Sequence, residues 1–533
     1  MNKDYPYPSK RTVVYAKNGM VATSQPLAAQ AGLDILKKGG NAIDAAIAVA
    51  AALTVVEPTS NGIGGDNFAL IWADQKLHGL NSSGPAPELI SKSVLIKKGL
   101  TEIPRFGFTP VTVPGAVAGW AEMSKKFGKL TLLEVLEPAI SYARNGFAVS
   151  PTVAYYWKAA NQIYQKHLQG DEYQSWFKTF LKNGKAPSEG DLWFLKDHAD
   201  TLEDIGKTNG ETFYSGKIAD QIDAFSKEYD GYLRKTDLQN FKPEWVDPIS
   251  VSYKGYNVWE IPPNGQGIVA LMALNIIENF NFKERERLEV YHRQIEAMKL
   301  AFADGLEYVS DSKVMKMSVS DLLSKKYASS RAKLISKTAE IRTSGKPNSS
   351  GTVYLATADK DGNMVSMIQS NYMGFGSGLV VPNTGISLHN RGQNFSLDDT
   401  KDNCIAPNKR PYHTIIPGFL TKGKVPIGPF GVMGGFMQPQ GHMQVVMNLI
   451  DFHMNPQSAL DAPRWQWIAG NQISVEPSVP KLIVKGLQRK GHIVKIESNL
   501  GSFGRGQIIL RNEKTGVYSA GTEKRADGTI AAW

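Results

Sequence analysis

Apolar and polar positions follow two different periods along this chain. From Ser24 to Lys38 (SQPLAAQAGLDILKK) apolar residues recur at helical spacing, with Leu27, Ala31, Ile35 and Leu36 on one face. Ser24 is placed to cap this helix, and Gly39-Gly40 to stop it. Asn41 then caps a second helix reaching Val56, whose seven alanines predict close packing against a neighbouring helix or sheet. Gly62, Gly64 and Gly65 allow a sharp turn into a short apolar strand, Phe68 to Trp72. Further on, Ile295, Met298, Ala301/Phe302 and Leu306 mark an amphipathic helix over Tyr291 to Tyr308.

The period changes again after a polar stretch, SGKPNSSG (Ser344 to Gly351), which reads as an exposed linker or a cleavage site. Two extended runs, Thr352 to Ala358 and Met364 to Ser370, flank DKDGN and predict a β-hairpin. Folded about Asp361-Gly362, it sets Ser370 or Asn371 opposite Thr352. Near the C-terminal end, GVMGGFMQPQG leads into a helix predicted over Gln440 to Phe452, with Pro439 in its early turn.

Composition narrows the class. The 533 residues are 42% hydrophobic and 21% charged, enough apolar material for a sizeable core in two or three domains or one large layered unit. The single cysteine, Cys404, excludes an internal disulfide and a multi-cysteine zinc site. The net charge of +10 is spread along the chain, so neither nucleic acid nor a membrane is expected as a partner, and RAKLISK at Arg331 reads as a solvated helix face. The start of the chain has no signal-peptide-like apolar run, and Ala42 to Val56 is too short to cross a bilayer, so a cytoplasmic location is expected. Nine histidines without HExxH or other paired spacing predict no metal. Neither the Gly62–Gly65 turn nor GFGSG at Gly374 is followed by a helix, so no nucleotide is expected, and no cofactor.

Seven collinear segments carry a resemblance: PLAAQAGLDILKKGGNAIDAAIA, EPTSNGIGG, TVPGAVAGW, GTVYLATADKDGN, NKRPYHTIIP, GVMGG and DAPRWQW. Together they make the chain similar, over nearly its whole length, to the γ-glutamyltransferase family of self-cleaving N-terminal-nucleophile hydrolases. The resemblance implies a four-layer α/β/β/α sandwich. It also implies a precursor cut between Gly351 and Thr352 into a large chain, 1–351, and a small chain, 352–533, which stay together as one catalytic unit. Thr352 would be the nucleophile, supported by Ser370. Gly434-Gly435 match the glycine pair whose backbone amides hold the oxyanion. The chemistry agrees: a threonine hydroxyl needs an adjacent base, and an N-terminal threonine brings one in its own α-amine, of reference pKa about 7.7–8.0.

The substrate-reading positions depart from the family. The large-chain arginine that holds the γ-glutamyl carboxylate falls at Ser82 or Ser83, and the paired serines become His413-Thr414. The Asn, Gln and Asp that help hold the amino group become Tyr372, Arg391 and Asn394. A site built for an ammonium thus presents a guanidinium. The expected acyl donor is a small amide bearing a carboxylate, of oxamate or glutaryl type, held by Arg391 with His413, and released by water or an amine acceptor. His413, Arg391 and Asn394 could also simply brace their loops. Two further readings stay open: a genuine glutathione hydrolase or γ-glutamyl transferase, and an unprocessed relative with a binding role, for which Val353 in place of the family's threonine is the one supporting feature.

Overall fold

The structure is a computed structural model that describes residues 11–341 and 351–533. Two antiparallel seven-stranded sheets lie face to face. One runs, edge to edge, through 529–532, 19–23, 351–359, 364–372, 66–73, 76–82 and 244–246. The other runs through 14–16, 518–522, 505–511, 425–433, 418–422, 256–260 and 249–253. Phe68, Tyr354, Ile368, Phe419 and Met433 fill the layer between them. Helices Pro26–Lys37 and Ala42–Val56 cover the outer face of the first sheet, and Gly267–Ile277 and Met437–Ile450 that of the second. The expected four-layer α/β/β/α sandwich results, with strands from before and after Gly351 interleaved in both sheets.

The central hairpin shows why its strands read as almost continuously apolar. In Gly351–Asp359, Tyr354, Ala356 and Ala358 face the opposite sheet, while Val353 and Leu355 face the helices. Both faces are therefore buried. The hairpin extends further than predicted, to Gly351–Asp359 and Met364–Tyr372. Its turn is tied by the Asp359 carboxylate, which accepts from the backbone of Asp361 and Asn363.

Helix boundaries follow the capping chemistry. The helix Ala42–Val56 starts on a capping box between Asn41 and Asp44, and every one of its residues is buried. The preceding helix, Pro26–Lys37, is capped by Gln25 rather than Ser24. Pro26 takes the first helical position, and the Ser24 hydroxyl is used 2.5 Å from the buried Glu57 carboxylate. The helix after GVMGG starts at Met437, not Gln440, which leaves Pro439 in its first turn, where a missing N–H costs nothing. Arg331 is not a free surface charge: it pairs with Asp304 at 2.9 Å. The first ten residues and most of the Ser344–Gly351 linker lie outside the described residues. Among the described residues, no helix is long and apolar enough to cross a membrane.

Candidate active site

The first strand of the hairpin opens with a bulge. Gly351 lies opposite Tyr372 and Val353 opposite Gln369, so pairing shifts at Thr352. The shift brings Thr352 Oγ1 to 3.1 Å from Ser370 Oγ and 2.7 Å from the Gly351 carbonyl oxygen. Ser370 donates to that same carbonyl at 2.7 Å and accepts from the Tyr372 N–H at 2.7 Å. Two hydroxyls and one peptide carbonyl thus form a closed triangle at the strand end. Gly351 sits in a close approach, where a Cβ would crowd Gly374 N at 3.0 Å and Ser60 Cα at 3.1 Å. Tyr372 holds the left-handed backbone, φ +73°, a strained state for an aromatic residue.

Gly434 and Gly435 stand between the strand Val425–Met433 and the helix Met437–Ile450, with φ of +137° and +59°. The helix uses their carbonyls, which accept from Met437 and Gln438, and not their N–H groups. Gln266 fastens this turn by donating to Gly435 O at 2.8 Å and to Thr414 O at 2.6 Å. Gly434 and Gly351 line one cavity of about 220 Å³.

Three of the residues expected to read the substrate, Arg391, Thr414 and Tyr372, touch one another. Arg391, fully buried, donates through Nη1 to Thr414 Oγ1 at 2.7 Å, and its guanidinium lies 4.6 Å from the Tyr372 ring centre. Its Nε and Nη2 have no hydrogen-bond partner among the described residues. Burial lowers its pKa to about 10, so it remains a cation at neutral pH. Tyr372 and Asn394 line a second cavity of about 600 Å³, beside Phe436, and Asn394 Nδ2 is also without a partner there.

His413 is turned elsewhere. Its Nε2 donates to Asp66 Oδ2 at 2.9 Å, while Nδ1 accepts from Ile415 N at 3.4 Å. Burial, with the Arg391 charge added, pushes its pKa down to about 3, so it is neutral. The negative charge of this corner belongs to Asp66. Burial opposes that charge, but the imidazoles of His389 and His413 outweigh it and keep the carboxyl below its ordinary range. Ser82 and Ser83 serve their own loop, bonding Gly115 O at 2.7 Å and Asn81 Oδ1 at 2.8 Å.

Sequence reasoning missed Asp66 and Gln266. Asp66 had a local signal, an acidic residue between a glycine turn and an apolar strand. Gln266 had none. The histidine spacing also hid one group: His292, Glu296 and His492 converge within 4.8 Å. Its ligand atoms are already in use, since His292 and His492 bond each other at 2.9 Å and Lys299 bonds Glu296 at 2.6 Å.

The gamma-glutamyltranspeptidase family model matches residues 28–533. This chain belongs to that family. It is 36% identical to the glutathione hydrolase-like YwrD proenzyme of Bacillus subtilis, over 96% of this chain and 97% of the relative. The glutathione hydrolase proenzyme of Escherichia coli is 32% identical, with 98% and 93% covered. Among solved structures, a cephalosporin acylase from Bacillus halodurans superposes with a TM-score of 0.98 at 60% identity, covering 100% of this chain and 99% of that one. The chain is therefore a gamma-glutamyltranspeptidase-family amidohydrolase whose relatives are made as proenzymes.

Proposed function

We propose that the chain cuts itself between Gly351 and Thr352, and that Thr352 then serves as the N-terminal nucleophile of an amide hydrolase whose acyl group carries a carboxylate. The observation that supports the first step is the triangle of Thr352, Ser370 and the Gly351 carbonyl, with edges of 2.7, 2.7 and 3.1 Å. Thr352 Oγ1 attacks the Gly351 carbonyl carbon, and the Ser370 hydroxyl supports the charge that develops on its oxygen. The C–N bond breaks, the nitrogen takes the proton that Oγ1 gives up, and an ester of Gly351 on Thr352 remains. Water hydrolyses that ester. It leaves residues 1–351 and 352–533 as two chains, with a free α-amine beside the hydroxyl.

Turnover repeats the chemistry on an external amide. The α-amine takes the Oγ1 proton and delivers it to the departing amine. The N–H groups of Gly434 and Gly435 hold the oxyanion, and water or an amine acceptor releases the acyl group.

Arg391 supports the choice of acyl group. Its unpartnered Nε and Nη2 are the two nitrogens of a side-on fork, which matches a carboxylate with two parallel bonds. The Tyr372 ring, stacked on the guanidinium, must turn aside to admit it. His413 holds the charge of Asp66 and positions this corner rather than touching the anion. A γ-glutamyl group would bring an ammonium beside Arg391, a repulsion of roughly 1–4 kcal/mol at contact.

Intact mass and N-terminal sequencing test the first step: fragments 1–351 and 352–533 are expected, and Thr352→Ala should stay uncut. A wild-type chain that stays uncut would favour the inactive relative. Ser370→Ala should slow cleavage by about 100-fold, the usual cost of removing one oxyanion donor. Glutaryl-4-nitroanilide and γ-glutamyl-4-nitroanilide differ only in the α-amino group and test the substrate. The glutaryl compound should be cleaved at least about tenfold faster, the rate equivalent of 1.4 kcal/mol. The reverse order would favour glutathione hydrolysis, the activity in the names of the Bacillus subtilis and Escherichia coli relatives.

A further inference from the structure

A cavity of about 210 Å³ lies where the end of the helix Gln174–Phe180 meets the start of the helix Lys196–Lys207. It shares no lining residue with the cavities at Gly351 and Tyr372. Its polar lining is Lys178, Thr179, Lys196, Asp197 and His198. His198 is 2% exposed, yet neither of its ring nitrogens has a hydrogen-bond partner among the described residues. Buried polar groups are almost always paired, so an orphaned imidazole in a cavity wall calls for a partner. Its Nδ1 lies over Gly385, where a Cβ would come to 2.3 Å, which leaves Nε2 as the nitrogen free to meet a ligand. Burial lowers its pKa to about 4, so at neutral pH the ring is uncharged and can donate through Nε2–H.

The helix Lys196–Lys207 starts in the same wall without a cap. No side chain at Leu195 accepts from it, and its first backbone bond runs from Ala199 to the Leu195 carbonyl. The N–H groups of Lys196, Asp197 and His198 therefore have no partner among the described residues, at the positive end of a twelve-residue helix. Lys178 and Lys196 are exposed and form no ion pair among the described residues. Asp197 is the one acid in the lining, and its carboxylate caps none of the free N–H groups. Free backbone donors, an orphaned imidazole and two lysines thus converge with a net positive charge. We infer that this cavity binds a phosphate group, whose oxygens take the free N–H groups and His198 Nε2–H while Lys178 and Lys196 balance its charge. A tetrahedral oxyanion has enough oxygens to meet donors arriving from several directions, which a carboxylate lacks. Phe194, 46% exposed in the same lining, offers an apolar surface to the body of a phosphate ester.

Binding needs no turnover, so this site stands or falls independently of the Thr352 reading. Calorimetry on the full-length protein, in chloride buffer at constant ionic strength, compares inorganic phosphate, phenyl phosphate and acetate. Inorganic phosphate should bind at one saturable site with Kd below about 1 mM, and acetate at least about tenfold more weakly. Phenyl phosphate distinguishes the source of the group: tighter binding than inorganic phosphate assigns the site to an ester packed on Phe194, and equal binding to the free ion. His198→Phe keeps a ring of similar size and removes the donor, and it should weaken inorganic phosphate by about tenfold or more, the loss of one hydrogen bond to a charged group. Lys178→Gln combined with Lys196→Gln alters only exposed side chains and should weaken it at least as much, which keeps the test open should His198→Phe fail to fold. Absence of saturable phosphate binding, acetate binding as tightly as phosphate, or an affinity unchanged in the folded variants would each overturn the inference.

Discussion

Arg391 and Arg525 are both buried, and almost everything else about them differs. Every nitrogen of Arg525 is engaged: Nε donates to Glu476 at 2.5 Å, Nη1 to Glu523 at 2.6 Å and to the Leu460 carbonyl, and Nη2 to the Ala462 carbonyl. Arg464 beside it is engaged in the same way, with Glu523 and three carbonyls. Arg391 has one hydrogen bond, to Thr414, and a tyrosine ring. A buried guanidinium that braces a fold spends its donors on that fold. One left with an open fork calls for an explanation, and the one proposed for Arg391 is a ligand carboxylate. By the same criterion Ser370 is complete, because its bonds close around the peptide proposed to be cut.

Substitution should separate these roles cleanly. Arg525→Met should produce the largest effect, a loss of about 3–5 kcal/mol in unfolding free energy, because Glu476 and Glu523 are left buried and short of a partner. Chemical denaturation measures it. If Arg525→Met is as stable as wild type, a guanidinium with every nitrogen engaged is no mark of a bracing role.

The second effect is in acid. Burial works against the Glu523 charge, but Arg464 and Arg525 outweigh it and hold the pKa down to about 2. A carboxyl lowered from 4.5 to about 2 contributes about 3 kcal/mol above pH 4.5. That contribution is lost as pH falls from about 4.5 towards 2. Glu523→Gln should therefore be less stable than wild type at pH 7 and should lose less on acidification. Unfolding curves at several pH values check both signs.

The smallest change in stability should come from Arg391→Met. It removes one hydrogen bond and one buried cation with two free donors, so unfolding free energy should move by no more than about 1 kcal/mol. Activity should respond instead. On glutaryl-4-nitroanilide kcat/KM should fall about 10- to 100-fold, as expected for one or two charge-assisted hydrogen bonds. An unchanged kcat/KM would sink the clamp. A stability loss like that of Arg525→Met would make Arg391 another brace.

Local chemistry accounts for what could be read in advance. Asn41 and Asp44 are neighbours in sequence, so their capping box is written there. So is the turn at Asp359–Asn363, and with it the approach of Thr352 to Ser370, which needs only two adjacent strands. The cap of the helix Pro26–Lys37 went astray because Ser24 answers to Glu57, a residue 33 positions away.

What the sequence determined by itself is the hairpin that brings Thr352 near Ser370 and the capped helix Ala42–Val56, since capping and turn chemistry act over a few residues, and, through its collinear motifs, the family and the layered fold that goes with it. Tertiary structure alone decided what each charge does. It set His413 against Asp66 across 347 positions, so that a histidine that looked free to meet an anion carries none of the charge. It also buried Arg391 with an open fork. The reason is electrostatic: a side chain's charge, donors and reach depend on burial and on partners from distant segments, and only the folded chain brings those together.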